Sequence, residues 1–292
     1  MINTINRIKD YFSLVKFSHT VFAMPFALVG FSLAVSQPGY SMSIKLLLLV
    51  ILCMVFARNS AMGFNRIADR HFDALNPRTS KREIPAGKIS TGAAILFVVI
   101  NATLFIITTS FINRLTLFLS PVALIVIFGY SLTKRFTALC HFILGLGLSL
   151  APIGAYISVT GKFELLPVIY SFIVLTWVGG FDIIYALQDE EFDKTNELHS
   201  LPSSAGIKSA ILISVAVHIL TFILVIVAGI YGKGGLLFWS GAAIFSGLLA
   251  YQHSIVRHDD LSRVNMAFAT TNGIASILFA VFIILDLVIH HI

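Results

Sequence analysis

The sequence predicts an all-α, polytopic membrane protein: about nine transmembrane helices around a central cavity, with cap loops at one membrane face. Three observations predict it. Of 292 residues, 57% are hydrophobic and only 12% charged, where a soluble domain carries about 25% charged residues. The apolar residues fall into runs long enough to cross a hydrocarbon core of roughly 30 Å, which takes about 20 residues of helix. The charge, by contrast, is gathered into polar islands, chiefly at 65–87 and 188–205. A chain in hydrocarbon must satisfy its own backbone hydrogen bonds, so uninterrupted runs of this length read as helices.

Taken in order, the runs are 18–36, 44–64, 91–111, 115–133, 138–158, 165–187, 206–230, 234–252 and 264–288. Short polar connections separate them, such as Gln37-Pro38-Gly39, Asn113-Arg114, Gly161-Lys162 and Gly232-Lys233-Gly234. Pro25, Pro121, Pro152 and Pro167 fall within or at the ends of runs, which membrane helices tolerate because neighbouring groups satisfy the freed carbonyls. Ahead of the first run, Ile5, Ile8, Tyr11, Phe12 and Val15 recur at helical spacing. They predict an amphipathic surface helix rather than a cleaved signal segment. Residues 1–292 read as a single integral membrane domain. Cys53 and Cys140 both lie in apolar runs and form no disulfide or metal-ligand pattern.

The formal net charge is +6. In a soluble protein that excess would suggest nucleic acid, but here its distribution about the spans accounts for it and no nucleic-acid partner is expected. With the N-terminus inside, the inner loops collect sixteen Lys and Arg residues, counting Arg58, Arg66, Lys134 and Arg135. The outer side keeps four: Lys45, Arg114, Lys162 and Lys233. The positive-inside rule then predicts a cytoplasmic N-terminus and cytoplasmic polar islands, in the inner (plasma) membrane. The two acidic stretches follow spans four apart, which suggests two parallel four-helix units and a ninth helix.

The chemistry concentrates in the islands. Asn65, Asp69 and Asp73 recur every four residues, so on a helix they share one face, drifting about 40° per step. Asp189 and Asp193 repeat the spacing. Two such carboxylate faces suit Mg²⁺ ions holding a diphosphate, because Mg²⁺ keeps waters and takes only one or two carboxylates alongside substrate phosphates. Arg70, Arg78, Lys81 and Arg82 follow the first face and supply cation for a polyanion. Asp182 lies seven residues before Asp189, about two turns deeper on the same face. An ionisable residue at that depth is a functional candidate by default. His19 reads equally as a core histidine or an acceptor contact, Asp286 as interfacial, and His290-His291 as a tail. Arg257-His258-Asp259-Asp260 reads as a solvated loop. An ion-coupled transporter is the competing class, but its site belongs near the midplane on broken helices, whereas this charge gathers at one end of the spans.

The motifs Asn65-xxx-Asp69-xxx-Asp73, Arg78-Thr79-xx-Arg82, Pro85-x-Gly87 and Asp182-xx-Tyr185-Ala186-xx-Asp189-xxx-Asp193 resemble the two signatures of the UbiA superfamily of intramembrane prenyltransferases. The resemblance covers nearly the whole chain. It is strongest to the 4-hydroxybenzoate polyprenyltransferases, and the opening Lys16-Phe17-Ser18-His19-Thr20 resembles a subgroup with members linked to menaquinone. It implies that Asn65, Asp69 and Asp73 form one set of Mg²⁺ ligands, and Asp189 and Asp193 the other. Between them they would hold the diphosphate of a polyprenyl donor. The family often has aspartate directly after the asparagine of its first motif; here that residue is Arg66. Tyr130-xxx-Lys134 matches a family Tyr/Lys pair, which implies Lys134 at the diphosphate and Tyr130 toward the allylic carbon. Asp182 is then expected to orient the acceptor or remove its proton. The implied reaction is prenylation of an aromatic acid in a dry pocket open to membrane lipid, with 4-hydroxybenzoate, for ubiquinone, as the leading acceptor. A dihydroxynaphthoate, for menaquinone, is the alternative. Some of the 25 phenylalanines are expected to line the prenyl groove, where ring faces stabilise a cation.

Overall fold

In the computed structural model, which describes residues 10–15 and 23–290, the long apolar runs are helices, and polar residues mark several of their ends. Helix α1 is Met24–Val35, entered through Pro25. Helix α2, Ile44–Ala68, starts at Ser43, whose hydroxyl accepts the Leu46 N–H at 3.3 Å. A six-residue helix, α3 (Arg70–Leu75), follows directly. Helix α4, Thr91–Ser110, is capped by Ser90. Helix α5, Arg114–Thr133, begins with a reciprocal Asn113–Thr116 capping box. Each cap satisfies amide groups that a helix start otherwise leaves unpaired. Then come α6 (Cys140–Thr160), α7 (Leu165–Ala186), α8 (Glu190–Thr195) and α9 (Leu201–Ala205). The chain ends with α10 (Ile207–Tyr231), α11 (Leu236–Ile255), a π-helical turn at Met266–Thr271 and α12 (Asn272–His290). Among the described residues there is no strand, only an isolated bridge between Arg257 and Asp260.

Seven of these segments are long and apolar enough to cross a membrane. The two expected spans outside that set are instructive. Helix α1 has 12 residues, and residues 18–22 of its run lie outside the described residues. Helix α11 has 20 residues, but its polar Gln252 and His253 near one end dilute its apolar character.

Helix α7 is the axis of the bundle, packed between α6 and α10. Ile173, Val174, Trp177 and Val178 on it have no exposed surface. Trp177 meets Phe26 of α1 with ring centroids 5.3 Å apart, and Phe245 of α11 at 5.9 Å. Two glycines let backbones touch. A Cβ at Gly30 would lie 2.0 Å from the Pro152 carbonyl oxygen, and one at Gly145 would lie 2.4 Å from that of Leu175. Small residues at such crossings are how helices associate where lipid removes the hydrophobic drive. The outward faces carry exposed apolar side chains, including Phe118, Ile125, Ile223 and Leu236.

Helices α2 and α7 end alike: a break, then a six-residue helix bearing the second aspartate of the motif. Each also packs against the next long helix, α2 on α4 and α7 on α10. At the chain start, residues 10–14 are helical. Leu14 packs with Ile84 and Ile89, and Tyr11 stacks on Phe97 at 5.1 Å. Of the apolar face expected for a surface helix, Val15 is buried and Phe12 is 53% exposed, and Leu14 is buried as well. Ile5, Ile8, His19 and His291 lie outside the described residues. Asp286, read from sequence as interfacial, is buried and accepts the Gly235 N–H at 2.8 Å, so it caps the start of α11 from α12. The 257–260 segment is exposed, as expected, with Arg257 paired to Asp259 at 3.2 Å.

Candidate active site

The first acidic motif sits where α2 gives way to α3. The helix pauses at Asp69, yet the Asp69 N–H still bonds the Asn65 carbonyl at 2.9 Å, and the Asp73 N–H bonds that of Asp69 at 2.7 Å. The four-residue relation read from the sequence therefore passes through the pause. Asn65 Nδ2 donates to Asp69 Oδ2 at 2.9 Å. Asp73 is buried, with Arg82 Nη1 on Oδ1 at 2.6 Å and Arg66 Nη1 3.9 Å from Oδ2. Burial, reinforced by the Asp73 charge, pushes the Asp69 carboxyl up to about 6.

The second motif is built the same way from the other half of the chain. Asp189 accepts Arg78 Nε at 3.0 Å and Asn76 Nδ2 at 3.1 Å, with Arg78 Nη2 on its other oxygen. Arg78 Nη1 also donates to the Tyr185 hydroxyl at 2.8 Å. Asp193 has no exposed surface. One of its oxygens lies 2.8 Å from Lys134 Nζ, and the other accepts the Ser200 hydroxyl at 2.8 Å. Burial works against the Lys134 ammonium, but Asp193 beside it holds its pKa above the usual lysine range. Arg78, Arg82 and Lys134 thus each pair with an aspartate expected as a metal ligand, whereas Lys81 is exposed and absent from the cavity wall. Arg70 instead donates to the Ile67 carbonyl at 2.8 Å and is absent from the cavity wall. Arg135, the neighbour of Lys134, donates to the Ala68 carbonyl at 2.7 Å and lies over the Phe72 ring.

These groups surround one end of a cavity of about 580 Å³. Its wall includes Asn65, Asp69, Asp73, Arg78, Arg82, Tyr130, Lys134, Asp182, Asp189 and Asp193. Beyond them it turns apolar, along Val126, Ala123 and Leu119 of α5 to Thr116 and, past α6, Phe163. From Thr116 to Lys134 the wall follows nearly all of α5, about 27 Å at the helical rise of 1.5 Å per residue. Phe105, Phe163, Phe181 and Phe268 are among the aromatic residues in this wall; most other phenylalanines pack in the core or face outward.

Asp182 opens onto the cavity two turns below Asp189, and one of its oxygens lies 2.7 Å from His141 Nδ1. His141 is 2% exposed. The Leu201 N–H donates to its other nitrogen, Nε2, at 3.2 Å. Three consecutive residues form a clasp here. His199 N–H bonds the Lys134 carbonyl at 2.7 Å, Ser200 bonds Asp193, and Leu201 bonds His141.

The sequence does not assign to the site two ionisable residues of the wall, nor Asn76, which donates to Asp189. His141 opens an apolar run without any motif around it, so only the fold brings it to Asp182. Arg58 was counted among the inner-loop cations, but it lies inside α2, two turns deeper than Asn65, and lines the cavity. The signal for Arg58 was present: it sits well within the run 44–64, where an ionisable residue calls for a partner.

The residues fit Mg²⁺. All the acidic donors are hard oxygens, and Asp73 Oδ2 is buried with no hydrogen-bond partner. Among the described residues, no three His, Cys, Asp or Glu side chains converge into a ready-made metal cage. Mg²⁺ does not require one, since it takes one or two carboxylates with phosphate oxygens and water.

A helical membrane bundle whose cavity is charged at one end and apolar along its length is a site for an amphiphile with an anionic head. The match to known proteins is of that kind. The model of the UbiA prenyltransferase family matches residues 23–283, and the chain belongs to that family. It is 27% identical over 235 residues to a 4-hydroxybenzoate octaprenyltransferase of Tolumonas auensis, covering 80% of this chain and 82% of the relative. To the enzyme of the same name from Nitrosospira multiformis it is 29% identical over 237 residues, 81% of each chain. In fold it is similar to a UbiA homolog from Aeropyrum pernix K1, with a TM-score of 0.79 at 26% identity over 94% of this chain and 98% of that one. A UbiA homolog from Archaeoglobus fulgidus bound to GPP and Mg²⁺ shares the fold with a TM-score of 0.73 at 21% identity, over 96% of this chain and 99% of that one.

Proposed function

We propose that this protein transfers a polyprenyl group from a polyprenyl diphosphate to a ring carbon of 4-hydroxybenzoate, releasing diphosphate, at the cytoplasmic face of the inner membrane. The observation that carries this reading is the pairing of two aspartate motifs with Arg78, Arg82 and Lys134 at the charged end of a long apolar cavity. The relatives named above support the acceptor, and Mg²⁺ in a homologous structure supports the metal. The excess of Lys and Arg on the side of the polar islands supports the orientation.

Asn65, Asp69, Asp73, Asp189 and Asp193 would hold Mg²⁺, which when bound neutralises the charge that develops on a departing diphosphate. Arg78, Arg82 and Lys134, each beside one of these aspartates, would meet the phosphate oxygens. The bond from the allylic carbon to the diphosphate oxygen breaks, and its electron pair leaves with the diphosphate. Tyr130, in the wall next to Lys134, faces the allylic cation, and the apolar length of the cavity keeps water from it. Arg58, deeper in the same wall, receives the carboxylate of the aromatic acid. The ring carbon beside the phenol forms the new C–C bond, and its proton passes to Asp182.

The test is direct. Purified protein in nanodiscs receives geranyl diphosphate, Mg²⁺ and either 4-hydroxybenzoate or a dihydroxynaphthoate, and products are read by mass spectrometry. A prenylated hydroxybenzoate with equimolar diphosphate is expected. Transfer to the naphthoate alone overturns the acceptor, and no Mg²⁺-dependent transfer at all overturns the activity.

A further inference from the structure

We infer that His141 is the positioning residue for the acceptor side of the site, setting the Asp182 carboxylate through the Nδ1–H of a neutral imidazole. The inference rests on the proposed aromatic prenyl transfer, and it assigns a task to a residue outside both acidic motifs. Hydrogen bonding defines the ring. The Leu201 main-chain N–H can only donate, so Nε2, 3.2 Å away, carries a lone pair and not a proton. The ring proton therefore sits on Nδ1, 2.7 Å from Asp182 Oδ2, and donates to it. One carboxylate oxygen is thereby fixed, and Asp182, with 21% of its side chain exposed, keeps surface toward the cavity. His141 itself is 2% exposed. It acts through Asp182 and touches no reacting atom.

The surroundings hold the ring in this one state. Leu201 cannot retreat freely, because the two residues before it bond Lys134 and Asp193. The same clasp that seats the diphosphate-side groups thus fixes the imidazole on the acceptor side. A carboxylate held by one oxygen presents the other at a set angle, which is what positioning for proton removal requires.

Two substitutions of similar polarity separate this role from simple anchoring of the clasp. Asn at 141 places an amide N–H near the position of Nδ1 and can still donate to Asp182. Gln places its amide near Nε2 and can still accept from Leu201. In nanodiscs with geranyl diphosphate, Mg²⁺ and 4-hydroxybenzoate, His141→Asn should keep kcat within about 3-fold of the parent. His141→Gln should lose about 30-fold or more in kcat, with KM for the donor within about 2-fold for both. Asp182→Asn combined with His141→Gln should be no slower than Asp182→Asn alone, as expected for residues acting as one unit. Equal activity of the Asn and Gln variants, a loss expressed in donor KM, or additive losses would each overturn the inference. A readout independent of turnover is ¹⁵N NMR of histidine-labelled protein. His141 should show the neutral Nδ1–H tautomer in the parent, and an Nε2–H or doubly protonated ring overturns the assignment. An inactive parent with the expected tautomer would count against the proposed reaction, not against the geometry.

Discussion

Lys134 Nζ lies 2.8 Å from a carboxylate oxygen of Asp193, a residue with no surface of its own. The ion pair joins the end of α5 to the second acidic motif and leaves Arg135 bonded elsewhere. Lys134→Ala strands a buried charge, which in general costs about 3–5 kcal/mol. A clear fall in melting temperature is expected, together with loss of most activity. Adding Asp193→Asn should restore the melting temperature but not the activity. Arg135→Ala removes the same charge from the same turn and should keep kcat/KM within about 3-fold of the parent. Equal losses for Lys134 and Arg135 would reduce both to a general positive field.

Asp69 gives the site a pH signature. Its folded carboxyl, at about 6, stands above the ordinary value of 3.8. The protonated form is therefore favoured by folding, and the stability this contributes is complete below about pH 4 and lost as pH rises through 6. Metal binding opposes that trend, because Mg²⁺ requires the ionised carboxylate. Stabilisation of the protein by Mg²⁺ should be large at about pH 7.5 and mostly gone at about pH 5. Thermal denaturation with and without Mg²⁺ at both values measures it. Asp69→Asn should raise stability in metal-free buffer near pH 7.5 and weaken the response to Mg²⁺. A full Mg²⁺ response in that variant would remove Asp69 from the ligand set.

Arg58 and the diphosphate groups should separate kinetically. Arg58→Leu is expected to raise KM for 4-hydroxybenzoate about 10- to 100-fold, the worth of a charge-assisted contact, with donor KM held within about 2-fold. Asp189→Ala should instead abolish turnover at any acceptor concentration while the protein stays folded. If Arg58→Leu raised donor KM and left acceptor KM alone, the carboxylate would have to sit elsewhere in the cavity.

Orientation is open to labelling. A cysteine replacing Lys81, exposed in the polar island, should react with a membrane-impermeant maleimide only from the cytoplasm. One replacing Lys162, also exposed, should react only from outside. The reverse pattern would turn the site to the other face.

The bundle depends on two backbone contacts. Gly30→Ala drives a methyl to 2.0 Å from the Pro152 carbonyl oxygen, and Gly145→Ala drives one to 2.4 Å from that of Leu175. Helices α1, α6 and α7 would have to separate, so each change should lower yield and melting temperature sharply. Gly92→Ala and Gly154→Ala meet nothing within 4 Å and serve as controls, in which Ala should be neutral or mildly stabilising.

The sequence made the spans legible because each is a continuous apolar run, and their ends in the structure fall within a few residues of the expected ones. It made the acidic motifs legible because four-residue spacing survives the pause at Asp69 through continuous i to i−4 bonds. The partnership of Arg78 with Asp189 was out of reach, since 111 positions separate them and no local pattern specifies a contact at that range. His141 was hidden for a different reason: its task is set by Leu201, and a main-chain N–H leaves no trace in residue type. Arg58 is legible as a cation well inside the run 44–64, but residue type alone does not say that its face of α2 lines a cavity.

The cavity wall that follows α5 from Lys134 to Thr116 has a metabolic consequence. On the proposed reaction, the charged end grips a head group common to every prenyl diphosphate, while beyond Arg58 no described residue of the wall along α5 is charged. Such a corridor has no ruler. The number of isoprene units on the product is then decided by whichever synthase supplies the donor, and one unaltered chain would serve cells that make quinones with quite different tails.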